Sequence, residues 1–103
     1  MADQPTRLRP STALRAHRAQ VLELARRHPV ANPRVFGSVV HGTDHEGSDL
    51  DLLVDALPGA TLFDLGEFQC ELEDLLGVPV DLRTPGDLPK AFRSEVLSSA
   101  RPV

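Results

Sequence analysis

The chain has 103 residues, 41% of them apolar and 25% charged, which is the make-up of one globular domain around one modest core. A single cysteine excludes an internal disulfide, no apolar run approaches a membrane span, and the N-terminus carries no apolar signal segment, so a cytoplasmic protein is expected. The net charge of −4 is unevenly spread: residues 1–34 hold seven arginines against two acids, and residues 35–103 four basic groups against thirteen acids. With only four Phe, no Trp and no Tyr, that acidic region argues against direct nucleic-acid binding.

Residues 1–10, with Pro5 and Pro10, read as a flexible lead-in to a single domain over 11–103. Ser11 or Thr12 caps a predicted helix to about His28, with Leu14, Val21, Leu24 and Ala25 on its apolar face and its arginines mostly elsewhere. Pro29 ends that helix, and Pro33 precedes a short strand, Arg34–Phe36. Residues 38–41 form one helical turn before Gly42, and Thr43–Gly47 a polar loop. A strand then covers about 48–55, and Pro58-Gly59 mark a turn.

Thr61 and Asp64 resemble a capping box for a helix to Leu76. Leu62, Leu65, Phe68, Leu72, Leu75 and Leu76 lie on one face of it, Cys70 reads as a small core residue, and Gly77 is the C-terminal cap. A strand Val78–Arg83 follows, then a turn at Thr84-Pro85-Gly86. Asp87 caps a last helix with Pro89 in its first turn and Leu88, Phe92, Val96 and Ala100 spaced by four. The order of elements predicts an α/β fold with a small mixed β-sheet flanked by helices.

The chemistry concentrates between Phe36 and Asp55. Asp49 and Asp51 stand two apart in a run that otherwise reads as a buried strand, Leu50, Leu52, Leu53 and Val54, so both carboxylates point the same way. Two carboxylates held together repel each other and lose hydration, a cost that a hard divalent cation between them removes. Mg²⁺ accepts a few carboxylate oxygens and completes its shell with water and phosphates. Gly37-Ser38, just upstream, suits a phosphate: glycine admits close backbone approach, and N–H groups with a hydroxyl cradle an anion.

The pattern Gly-Ser-x3-Gly-x5-Ser-Asp-x-Asp-x2-Val-Asp, from Gly37 to Asp55, resembles the signature of the DNA polymerase β-like nucleotidyltransferases. Within that superfamily the chain looks like the minimal nucleotidyltransferases paired with HEPN toxins. The resemblance implies the nucleotidyltransferase fold, a third metal-binding carboxylate at Asp81 (in Val80-Asp81-Leu82), and a pair of Mg²⁺ ions with ATP as co-substrate. It also implies metal ligation and catalysis by Asp49, Asp51 and Asp81, and nucleotide or phosphate binding by Gly37, Ser38, Gly42 and Ser48. Val39 and His41 depart from it, since many relatives carry a basic residue and an arginine there. The expected activity is transfer of AMP to a hydroxyl, a tyrosine by the resemblance, of a cognate HEPN RNase toxin, which silences it. The alternative is an antitoxin that neutralises by contact, with a weakened site; nucleotidylation of a small molecule is a third reading. His17 and His28 read as surface residues, Arg83 and Arg93 as solvated, and Asp55 as solvated near its turn.

Overall fold

A computed structural model describes residues 8–103. In chain order the elements are α1 (Pro10–Ala16), α2 (Arg18–Ala25), β1 (Val30–Phe36), α3 (Ser38–His41), β2 (Leu50–Ala56), α4 (Leu62–Leu76), β3 (Val80–Arg83), α5 (Lys90–Ser99) and β4 (Arg101–Pro102). The strands form one sheet in the order β3-β2-β1-β4. β1 runs antiparallel to β2 and β4, and β2 runs parallel to β3 with α4 as the crossover. This is the mixed sheet with helices that the element order predicts. Most of the expected lead-in lies outside the described residues, while Pro10 is buried and opens α1.

Strand alternation divides the sheet into two faces. Leu50, Leu52 and Val54 of β2 and Val80 of β3 join Val21 and Ala25 of α2 and Phe68, Leu72 and Leu76 of α4 in the main core. The opposite face holds a smaller cluster, Phe36, Leu53 and Leu88, against which Val96 of α5 and Ala100, its C-cap, pack. Asp51 and Asp81, one residue out of phase with the core leucines and valine, belong to this second face.

Several boundaries differ from the sequence expectations, each for a local reason. The long first helix is two helices, broken at His17 (φ −120°, ψ 20°), so that Ala13 and Leu14 as well as Val21 and Ala25 reach the core. β1 starts at Val30, ahead of Pro33, because Asn32 at φ 56° and a register shift between Ala31 and Arg34 let the strand absorb the proline. β2 starts at Leu50, which leaves Asp49 in the loop. Asp87 completes a short 3-10 turn, Pro85–Asp87, in a capping box with Thr84, and α5 begins only at Lys90 with Pro89 as its N-cap. The two-residue β4 pairs with Arg34 and Val35 and lacks any apolar alternation to announce it.

On α4 the predicted capping box forms: Asp64 accepts from the Thr61 N–H at 2.9 Å, and Thr61 Oγ1 accepts from the Asp64 N–H at 3.2 Å. Leu62, however, is 85% exposed in the first turn, ahead of the stripe that meets the sheet. Cys70 is exposed as well, two residues round the helix from the Phe68–Leu72–Leu76 face. His28 is no surface residue: its side chain is only 8% exposed and pairs with Glu71.

Candidate active site

Gly37 leaves β1 directly beside Asp51, since Phe36 is the register partner of Asp51. Its φ of 72° with ψ −142° is backbone that essentially only glycine adopts. A Cβ added there would collide with Oδ2 of Asp51. The absence of a side chain therefore lets the backbone lie against the carboxylate. Ser38 opens the single turn of α3, which Gly42 closes in the left-handed region (φ 70°). The Ser38 carbonyl accepts from the Thr43 N–H at 2.9 Å. Val39 and Val40 pack against the main core, whereas His41 is exposed.

The loop from Thr43 to Asp49 is pinned by a residue that sequence reading passed over. Asp44, 5% exposed, is the one buried charged residue among those described. Its carboxylate accepts from the Ser11 N–H at 2.9 Å and from Arg9 at 3.1 Å, satisfying an orphan donor in the first turn of α1. Burial opposes its charge, but the Ser11 N–H and hydroxyl and the Arg9 guanidinium together hold its carboxyl below the usual range. In sequence it is one more acid in a polar loop. Nearer the site, Ser48 closes the loop on itself: its N–H donates to the His45 carbonyl and its Oγ accepts from the His45 N–H, both at 3.0 Å.

Asp49 is exposed at the loop's end, and Asp51, half-buried, lies opposite Asp81 on the neighbouring parallel strand. Burial, then the negative charges of Asp81 and Asp49, push the Asp51 carboxyl up to about 6. Arg83, two residues along β3 on the same face, partly offsets this. Its Nε donates to both oxygens of Asp81, at 3.2 and 3.3 Å. The structure thus brings Asp51 and Asp81 side by side, with Asp49 close enough to be felt electrostatically and Gly37 against Asp51. Asp55, by contrast, faces Arg34 at 2.7 Å further along β2, so it is paired and not simply solvated. Arg93 donates to the Leu88 carbonyl at 2.9 Å and joins α5 to the turn before it.

Three carboxylates at the end of a strand pair, two of which raise the proton affinity of Asp51 between them, suit a divalent cation. They are spread more widely than a closed cage. Among the described residues, the group of three ligand-type side chains whose donor atoms all lie within 4.8 Å of one another is His28, Glu67 and Glu71, elsewhere in the fold. An open set leaves coordination positions to substrate oxygens, as a metal working on phosphates requires.

Residues 17–103 match the family model described as the nucleotidyltransferase domain. The chain is 40% identical over 75 residues to the protein adenylyltransferase MntA of Thermococcus cleftensis, covering 73% of this chain and 76% of that protein. It is similar to a solved chain assigned as a minimal nucleotidyltransferase, with 43% identity and a TM-score of 0.83 over 96% of this chain and 100% of that one. The fold also matches a toxin–antitoxin structure containing AMP-PNP, with 23% identity and a TM-score of 0.69 over 82% of this chain and 69% of that one.

Proposed function

Because the chain belongs to the nucleotidyltransferase domain family, we propose that it transfers AMP from ATP to a hydroxyl of a partner protein, a HEPN-type RNase toxin, and so acts as its antitoxin. The observation that carries this reading is the pairing of Asp51 with Asp81 under the Gly37 backbone. Asp49, Asp51 and Asp81 would hold Mg²⁺, with two ions as the expected number. Bound there, the metal neutralises charge on the triphosphate and makes the acceptor hydroxyl more acidic.

The chain's own residues supply the rest. In the transfer, the acceptor oxygen forms a bond to the α-phosphorus and the bond to the β-phosphate oxygen breaks, releasing pyrophosphate. The hydroxyl proton passes to the carboxylate set, where Asp81 is the assigned acceptor. The N–H groups and hydroxyl at Gly37-Ser38 bind the outer phosphates, and Gly42 fixes the turn that presents them. Ser48 and Asp44 hold the loop that delivers Asp49. The relatives and structures named as a protein adenylyltransferase and a toxin–antitoxin support both the acceptor class and the partner.

One observation favours the second reading, neutralisation by contact alone. Arg83 already places a cation on Asp81. The variant Asp49→Asn/Asp51→Asn separates the two readings. Under transfer it still binds the toxin but no longer suppresses its RNase activity. If the variant suppresses that activity as fully as the native chain does, contact is sufficient and the transfer reading fails.

A further inference from the structure

A second set of ligand-type side chains lies across the sheet from the aspartates, at the seam between α2 and α4. His28 comes from the turn between α2 and β1, and Glu67 and Glu71 from successive turns of α4. Nε2 of His28 lies 2.9 Å from a Glu71 oxygen, and one donor atom from each of the three residues lies within 4.8 Å of the other two. The imidazole is fixed by features outside this cluster. Its ring packs on Phe68 with centroids 5.0 Å apart and planes tilted by 38°. The His28 N–H donates to the Ala25 carbonyl at 3.2 Å, and its carbonyl accepts from the Val30 N–H at 2.7 Å.

One ligand is therefore set in place by packing and backbone, and two carboxylates one helical turn apart reach the same point from the solvent side. A simple ion pair needs only one of them. An imidazole nitrogen with two carboxylate oxygens suits a borderline ion such as Zn²⁺, whereas Mg²⁺ takes oxygen ligands. Glu71 also lines an open groove of about 320 Å³ with Gln20, Leu24 and Leu75, and Glu67 is exposed, so the solvent side of the cluster is open to water.

We propose that His28, Glu67 and Glu71 form a zinc-type divalent metal site, separate from the aspartate centre, that staples the start of β1 to α4. It does not depend on the nucleotidyltransferase reading. The test is calorimetric titration of Zn²⁺ into the full chain carrying Asp49→Asn/Asp51→Asn, with and without Glu67→Gln, alongside thermal unfolding with and without Zn²⁺. Glu67 is exposed, so its substitution leaves the metal-free melting temperature unchanged. One Zn²⁺ per chain is expected in the double variant, with a raised melting temperature; adding Glu67→Gln weakens binding about tenfold or more and removes that rise. His28→Gln, the more invasive change, gives the same loss. No Zn²⁺ binding by the double variant, or binding that Glu67→Gln leaves unaltered, overturns the site.

Discussion

Replacing Asp51 by Asn stabilises the metal-free protein, although it destroys the centre proposed here. The Asp51 carboxyl is raised from 3.8 to about 6 by burial and by Asp81 and Asp49, so in neutral solution its ionised form is strained in the folded chain. A shift of that size corresponds to roughly 3 kcal/mol at about 1.4 kcal/mol per pH unit. The group is only half-buried, and screening by water reduces this to about 1–2 kcal/mol. For a domain of this length that raises the melting temperature by about 5–10 °C.

The sign follows from proton uptake. Between about pH 4 and pH 6 the folded native chain binds a proton at Asp51 that the unfolded chain releases, so native stability falls as pH rises through this window. The Asn variant lacks that titration. Thermal unfolding of both chains in EDTA, from about pH 4 to pH 8, would show the curves meeting at the acid end, separating between about pH 4 and pH 6 and staying apart above it. A variant no more stable than the native chain at pH 8, or a gap that persists at pH 4, would refute the electrostatic reasoning. Saturating Mg²⁺ is expected to narrow the gap by stabilising only the native chain.

Further substitutions probe other parts of the site. Asp49→Asn or Asp51→Asn is expected to lower AMP transfer, followed as pyrophosphate release, by several powers of ten, while Ser38→Ala costs less because backbone N–H groups remain. Gly37→Ala places a Cβ into Asp51 and forces non-glycine backbone, costing about 1–3 kcal/mol in denaturant unfolding and most of the transfer rate. Asp44→Ala leaves the Ser11 N–H and Arg9 without their acceptor and is expected to cost about 1–3 kcal/mol. The contribution of Asp44 is present above about pH 4 and is lost as pH falls through its lowered folded value.

The parts of the molecule legible in the sequence are those that local chemistry determines. The Thr61–Asp64 box, the apolar stripe of α4 and the Gly77 cap needed no tertiary information, whereas Asp81 was marked by the resemblance and comes to lie beside Asp51 through the parallel pairing of β2 and β3. Contacts between distant segments were not legible. Asp44 reaches a helix start 33 residues away. Arg101 and Pro102 become a strand only because the open edge of β1 accepts them, and Pro33 survives in β1 through the bulge beside it. His28 looked like a helix-end surface residue because neither Phe68 nor Glu71 is near it in sequence, though both meet it in the fold. The clash that makes Gly37 obligatory was visible as a motif position but not as a cause.

The most direct measurement is the intact mass of the proposed HEPN-type partner after co-expression with this chain and, in parallel, with Asp49→Asn/Asp51→Asn. A mass increase of one or more AMP units that appears only with the native chain is expected. An unmodified partner that nonetheless co-purifies in an inactive state would contradict transfer as the basis of neutralisation.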